Sequence, residues 1–260
     1  MLDSLRIIGL AAVQGLAEFL PVSSSGHLAL AESVFGLDSP GPALELFLHA
    51  GTLFSVCVFY RSRIVSLVRG VAKLERGALL YALCVAFSVV PAGLAYALAK
   101  DEIDAAFDSR RVVGALLLAN GALLALSRVT DRMKPGGGPV TAARALAMSL
   151  GQALAILPGI SRSGTSIHAG RLAGMSPRAA AEFSFLMSVP AILGAIALQI
   201  LDDPGEALAG LGAGDAVAAT VVSAAVGYAA LRAVVKFLEK GKFWIFGVWC
   251  FAVGAAALAF

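Results

Sequence analysis

The sequence predicts an all-α integral membrane protein with about six spanning helices and two re-entrant helical hairpins, arranged as an inverted-topology repeat. Three observations predict it. The chain of 260 residues is 59% hydrophobic and 14% charged, with a mean hydropathy of +0.86, against about 25% charged residues in an ordinary soluble domain. The charged loops alternate in sign along the chain. And two polar, helix-breaking clusters recur 138 residues apart.

The spans come first. Apolar blocks mark candidates at 43–60, 78–99, 111–128, 183–201, 216–235 and 243–260, near the ~20 residues that cross a bilayer as a helix. One such block could be a buried core helix, but six cannot. The N-terminus, with Asp3 and Arg6 near its start, lacks the basic n-region and cleavage site of a signal peptide, so Met1 onward reads as mature protein. Cys57, Cys84 and Cys250 each sit inside an apolar stretch and read as small buried hydrophobes, not as a disulfide or zinc framework.

Two further apolar stretches, 5–30 and 145–172, are interrupted near their middles by Pro21 with Ser23, Ser24, Ser25 and Gly26, and by Pro158 and Gly159 with Ser161, Ser163 and Gly164. Proline and glycine break helices, and freed backbone groups survive at membrane depth only inside protein or beside a wet cavity. Both stretches are therefore expected to be re-entrant hairpins. Loop charges agree. Arg61, Arg63, Arg69, Lys73 and Arg76 mark one inside loop; Arg128, Arg132, Lys134 and Arg144 a second; Arg232, Lys236, Lys240 and Lys242 a third; Arg171 and Arg178 a fourth. Glu32 with Asp38, and Asp202, Asp203, Glu206 with Asp215, mark outside loops free of Lys and Arg, and the mixed loop 100–111 falls outside by alternation. The two sets alternate only if each interrupted stretch enters and leaves on one side.

Sliding the chain by 138 residues superposes Gln14 on Gln152, Leu16 on Leu154, Ala17 on Ala155, Ser23 on Ser161, Ser25 on Ser163 and Gly26 on Gly164. Each copy precedes three spanning helices, an odd number, so the second copy is inverted. The reading is one membrane domain, 1–260, with halves 1–130 and 140–260.

Chemistry gathers in the two clusters. Gln14 and Glu18 share a helix face, three serines and a glycine follow, and His27 closes the segment. The second cluster supplies Arg162 among Ser161, Ser163 and Thr165. A guanidinium fork with small hydroxyls and free amides at a helix start suits a phosphate-sized anion. Ionisable residues at membrane depth are functional candidates by default, though a Glu18–Arg162 pair could also serve as a structural strut. Glu45 and Glu182, at the starts of spanning helices, could cap or support the hairpins, while His49 and His168 read as packing residues. The net charge of +3 is too small to suggest nucleic acid as a partner.

The stretches EFLPVSSSGH at 18–27, PGISRSG at 158–164 and EFSFLMSVP at 182–190 resemble the undecaprenyl-diphosphate phosphatase family, also called the bacitracin-resistance protein family, and length and hydropathy resemble it from end to end. The resemblance implies hydrolysis of a polyprenyl diphosphate to the monophosphate and inorganic phosphate, recycling the lipid carrier of cell-wall synthesis. It implies a plasma (inner) membrane location, a site facing outward, and a divalent cation, Mg²⁺ or Ca²⁺. Carried over by position, Glu18, Ser24, His27 and Arg162 are catalytic candidates, with Glu18 also the metal ligand. Gln14, Ser23, Ser25, Ser161, Ser163 and Thr165 would line the phosphate site. The chain departs from the family at Gln14, where a second glutamate is usual, and Gly164-Thr165 lacks a residue that some members insert. His27 attacking directly, His27 activating Ser24, and His27 activating a water stay open. The expected partners are the lipid diphosphate and membrane lipids, with pairing into a homodimer left open. The competing function is a transporter or flippase of polyprenyl phosphate, which an inverted repeat would also suit.

Overall fold

The computed structural model describes residues 4–35, 41–132, 139–202, 205 and 210–259. Asp38, Lys134, Asp203 and Glu206, used above to orient the loops, lie outside the described residues, as do the side chains of Glu32 and Asp202. Every described element is a helix: α1 (Ser4–Phe19), α2 (Ser24–Phe35), α3 (Gly41–Phe59), α4 (Arg61–Ala72), α5 (Arg76–Phe87), α6 (Val90–Leu98), α7 (Lys100–Asp108), α8 (Arg110–Ala125), α9 (Ser127–Arg132), α10 (Ala142–Leu154), α11 (Arg162–Leu172), α12 (Pro177–Asp202), α13 (Ala213–Glu239) and α14 (Ile245–Ala259).

Five helical stretches are long and apolar enough to cross a membrane: Gly41–Phe59, Arg76–Leu98, Arg110–Arg132, Pro177–Leu201 and Ala213–Glu239. They coincide with five of the six expected spans, so the chain is a multi-pass membrane protein. The sixth candidate, 243–260, forms the shorter apolar helix Ile245–Ala259, and Phe260 lies outside the described residues. Pro91 at the start of α6 accompanies a break between α5 and α6, since proline lacks the N–H that would continue the ladder. Pro190 stays inside α12. Two segments read as loops are helical: α4, and α7, whose Asp101 and Glu102 sit in the first turn where the helix dipole favours them.

Both interrupted stretches fold as helix–turn–helix hairpins. α1 packs on α2 and α10 on α11, and all four helices are shorter than a spanning helix. Ser23 makes the first turn with φ of +73°, and Gly159 the second with φ of +104°. Serine in this left-handed region is uncommon, and its hydroxyl contacts explain why it is kept there (below).

Apolar area drives little helix association where lipid tails are equally apolar, so close packing and hydrogen bonds hold such bundles. The tightest seams use glycine. A Cβ on Gly254 of α14 would lie 2.8 Å from Gly114 O of α8, and one on Gly15 of α1 would lie 2.7 Å from Ser223 O of α13. A Cβ on Gly51 of α3 would collide with Ser223 and with the Thr220 carbonyl. Phe19, Phe183 and Phe185 are fully buried at the centre, with Phe19 edge-on to Phe185 at 5.8 Å. Leu16, Phe54, Leu98, Leu201 and Val217 are exposed on the outside, as lipid contact requires.

Candidate active site

The hairpin tips meet. The Gly159 amide donates to Ser23 Oγ (3.1 Å), and Ser163 Oγ donates to the Phe19 carbonyl (3.1 Å). Asn120 of α8, wholly buried, clamps both turns: its Nδ2 donates to the Pro21 carbonyl (3.0 Å), and its Oδ1 accepts from the Ser161 amide (3.1 Å). Each bond answers a backbone group that the broken helices leave without a helical partner.

The helices that begin at these tips are α2 and α11, and their first residues are Ser24 and Arg162. Ser161 caps α11, its Oγ accepting from the Gly164 amide (3.1 Å). Two helix N-termini, each with partial positive charge and free N–H groups, thus open on the junction. The ion pair lies there. Arg162 Nη2 donates to Glu18 Oε1 at 2.6 Å, with the two side chains only 16% and 8% exposed. Arg162 Nη1 also donates to the Ser184 carbonyl (3.3 Å). Of the five guanidinium N–H groups, these bonds leave donors over for an anion.

Glu18 Oε2 accepts from Ser24 Oγ (2.9 Å) and from Gln14 Nε2 (3.2 Å). The same Gln14 Nε2 lies 3.2 Å from His49 Nδ1, so His49, expected as a packing residue, joins the network. Gln14, Glu18, Ser24 and Arg162 therefore form one connected cluster. Ser23, Ser161, Ser163 and Thr165 sit beside it, with their hydroxyls largely spent on structure. Thr165 Oγ1 donates to the Ser161 carbonyl (2.9 Å), and Ser25 Oγ lies 3.3 Å from Ser23 Oγ.

His27 is placed apart. Its Nδ1 lies 2.9 Å from the Ser23 carbonyl, and its Nε2 lies 2.7 Å from the indole Nε1 of Trp249. A carbonyl only accepts and an indole N–H only donates, so the ring is neutral, with its proton on Nδ1. Both nitrogens are engaged, and neither bonds to Ser24, Glu18 or Arg162. Glu182 turns away to Arg63 (2.8 Å) and Tyr81 (3.3 Å), a tie between α12 and the α4–α5 segment.

Sequence reasoning passed over Asn120, Ser184 and Trp249. Asn120 had a readable signal, being an amide inside the otherwise apolar block 111–128. Ser184 lies inside the stretch at 182–190 quoted above, and Trp249 had no signal, since a tryptophan in an apolar helix is ordinary.

Among the described residues, Glu18 is the carboxylate at the junction that a divalent cation would need. Among the described residues no three His, Cys, Asp or Glu side chains converge, so a cage of protein ligands is not formed by them. Glu18 has about four lone-pair sites, of which the three bonds above use three. That fits Mg²⁺ taking one carboxylate from the protein and the rest of its ligands from phosphate oxygens and water.

Residues 7–256 match the family described as "Bacitracin resistance protein BacA". The chain is 39% identical to an undecaprenyl-diphosphatase of Rubrobacter xylanophilus, over 100% of this chain and 98% of that protein. It is 36% identical to an undecaprenyl-diphosphatase of Desulfosudis oleivorans, over 99% and 98%.

Proposed function

The chain belongs to the bacitracin resistance protein BacA family, and on that premise we propose that it is a membrane phosphatase that hydrolyses undecaprenyl diphosphate to the monophosphate and inorganic phosphate. The observation that carries this reading beyond the relatives' names is the buried Arg162–Glu18 pair with Ser24 at the junction of two helix N-termini. Phosphoryl transfer asks chiefly for positioning and charge neutralisation. Arg162 and the two N-termini supply positive charge where the terminal phosphate would lie.

In the proposed mechanism the free guanidinium N–H groups of Arg162 and the N-terminal amides of α2 and α11 hold the terminal phosphate. Glu18 fixes Arg162 and accepts the Ser24 proton, which leaves the Ser24 lone pairs open toward the junction. Oxygen attacks the terminal phosphorus either from Ser24, whose proton passes to Glu18, or from a water bonded to Ser24, whose proton passes through the Ser24 hydroxyl to Glu18. The bond from that phosphorus to the bridging oxygen breaks, and its electron pair leaves with the lipid monophosphate. If Ser24 attacks, water then cleaves the phosphoserine and restores the hydroxyl. A divalent cation bound through Glu18 would supply further neutralisation of the diphosphate. His27 must release Trp249 before it can act as base or nucleophile.

The reading includes re-entry of both hairpins from opposite faces as an inverted repeat, a site opening to the outer face of the plasma (inner) membrane, and recycling of the cell-wall lipid carrier. The deciding experiment is phosphate release from undecaprenyl diphosphate by the purified protein in detergent, with Arg162→Ala and His27→Ala beside wild type. Release by wild type and its loss in folded Arg162→Ala supports the reading, and loss in folded His27→Ala assigns His27 a step taken after it releases Trp249. Binding of the lipid without release would support the flippase reading instead, and full activity in either variant would sink that residue's assignment.

A further inference from the structure

A groove of about 400 Å³ runs along the flank of the second hairpin, between α6 and α12. Its walls are built alike. On one side it is lined by Val89, which precedes α6, and by Ala92, Gly93 and Tyr96 of α6, and on α12 by Ala191, Gly194, Ala195 and Leu198. Both sets follow the i, i+3, i+4, i+7 spacing of one helix face, with small residues at the centre. Stripes of small residues in membrane helices usually let the backbones close on each other. Here they do not: a Cβ built on Gly93 or on Gly194 meets nothing within 4 Å. Gly93, Gly194, Ala195 and Leu198 are exposed, so the slot opens sideways to the bilayer.

One end of the slot is polar. Arg162 lines it while holding Glu18. Gln152 lines it too, 4% exposed. Gln152 Nε2 donates to the Ser88 carbonyl (3.1 Å), which fixes the amide so that Oε1 is the free atom, and that Oε1 is buried without a hydrogen-bond partner. A buried acceptor of this kind calls for a donor, and a hydrated phosphate headgroup brings water to it. A larger apolar groove of about 660 Å³ lies between α3 and α13 around Phe54, Val221 and Ala225, but no charged residue lines it.

We infer that the α6–α12 slot binds the isoprenoid chain of the lipid diphosphate, with the headgroup at Arg162 and Gln152 and the first prenyl units lying over Gly93 and Gly194. The inference rests on the proposed phosphatase reading for the position of the headgroup. A headgroup bound at Arg162 has for its chain an apolar, laterally open path that starts beside the guanidinium. The missing side chains at Gly93 and Gly194 widen that path where the chain would pass.

The test fills the slot without disturbing the fold. Gly93→Leu and Gly194→Leu place side chains in open space, and Ala225→Leu does the same in the groove without charge. The readout is kcat/KM for undecaprenyl diphosphate divided by kcat/KM for methyl diphosphate, which brings the headgroup without a prenyl chain. The ratio should fall about tenfold in Gly93→Leu and Gly194→Leu, within the range by which a filled or unfilled methylene position changes selectivity, and should stay at the wild-type value in Ala225→Leu. A wild-type ratio in both glycine variants, or an equal fall in Ala225→Leu, overturns the inference. Should wild-type protein bind the lipid but release no phosphate, the phosphatase reading fails alone. The slot is then scored by the affinity of undecaprenyl monophosphate for the same variants, with unweakened binding in both glycine variants overturning it.

Discussion

Removing the charges of the Arg162–Glu18 pair one at a time and then together separates its structural from its chemical part. The pair is short, at 2.6 Å, and both side chains are largely buried. Arg162→Met keeps the apolar stem but strands the Glu18 carboxylate, whose remaining donors, Ser24 and Gln14, are neutral. Stranding one charge of a buried pair costs about 3–5 kcal/mol. Glu18→Gln strands the guanidinium, with the Ser184 carbonyl as its recorded neighbour, and should cost a similar amount. The double variant has no buried charge left, and an uncharged replacement for a buried pair is commonly neutral. Its stability should return toward wild type, above that of either single variant, a strong non-additivity of the kind residues in contact show.

Activity should not follow stability. Without the guanidinium the transition-state charge loses a placed donor, a loss of about 10²–10³ in kcat. Thermal unfolding in detergent and phosphate release, measured on the same four preparations, test both halves. A double variant that is stable and inactive matches the expectation. A stable double variant with near wild-type phosphate release would refute the reasoning, because the pair would then be a strut with no part in the chemistry. A single Arg162→Met that unfolds no earlier than wild type would refute the burial argument.

Three further outcomes are expected. Gln14→Glu sets a second carboxylate beside Glu18, where the Gln14 amide now donates at 3.2 Å, so phosphate release should resist EDTA better and saturate at lower Mg²⁺ than in wild type; an unchanged Mg²⁺ titration counts against Glu18 as the cation's ligand. Trp249→Phe keeps the ring but removes the indole N–H from His27 Nε2; one neutral hydrogen bond is worth about 0.5–1.5 kcal/mol, so phosphate release should rise about two- to tenfold if His27 acts only after letting go of Trp249, and no change or a fall would exclude that order of events. Gly51→Ala forces a methyl into Ser223 and the Thr220 carbonyl and should destabilise the protein by about 1–3 kcal/mol, whereas Gly214→Ala, with nothing within 4 Å, should be neutral or slightly stabilising in the same melt.

The hairpins were readable because proline, glycine and serine cluster inside otherwise apolar stretches, and that pattern has few other meanings at membrane depth. Glu18 and Arg162 were readable because a charge in such a stretch needs a partner, and few partners exist. Two things were less accessible. The segments α4 and α7 carry charges that identify them as inter-span segments, and those same charges hid their helical period. The surroundings of His27 depend on Trp249, 222 positions away in the chain, on a helix whose apolar sequence carries no mark of a special residue. Pairing at that distance is decided by how α14 lies on α8, and local pattern holds no record of it.

The hydroxyl-rich tips also divide their work in a way that residue type alone conceals. A site for phosphate at membrane depth needs helices that start inside the apolar layer, and every such start exposes backbone groups that lipid cannot satisfy. Ser23 takes the Gly159 amide, Ser161 takes the Gly164 amide, Ser163 takes the Phe19 carbonyl, and Asn120 takes Pro21 and Ser161 together. These four side chains make the broken backbone tolerable. Only because they do can Ser24 and Arg162, the first residues of the two inner helices, turn to Glu18 and leave donors and lone pairs unspent. Replacing a tip serine should therefore be read first in stability and only through it in catalysis, while replacing Ser24 should be read in catalysis alone.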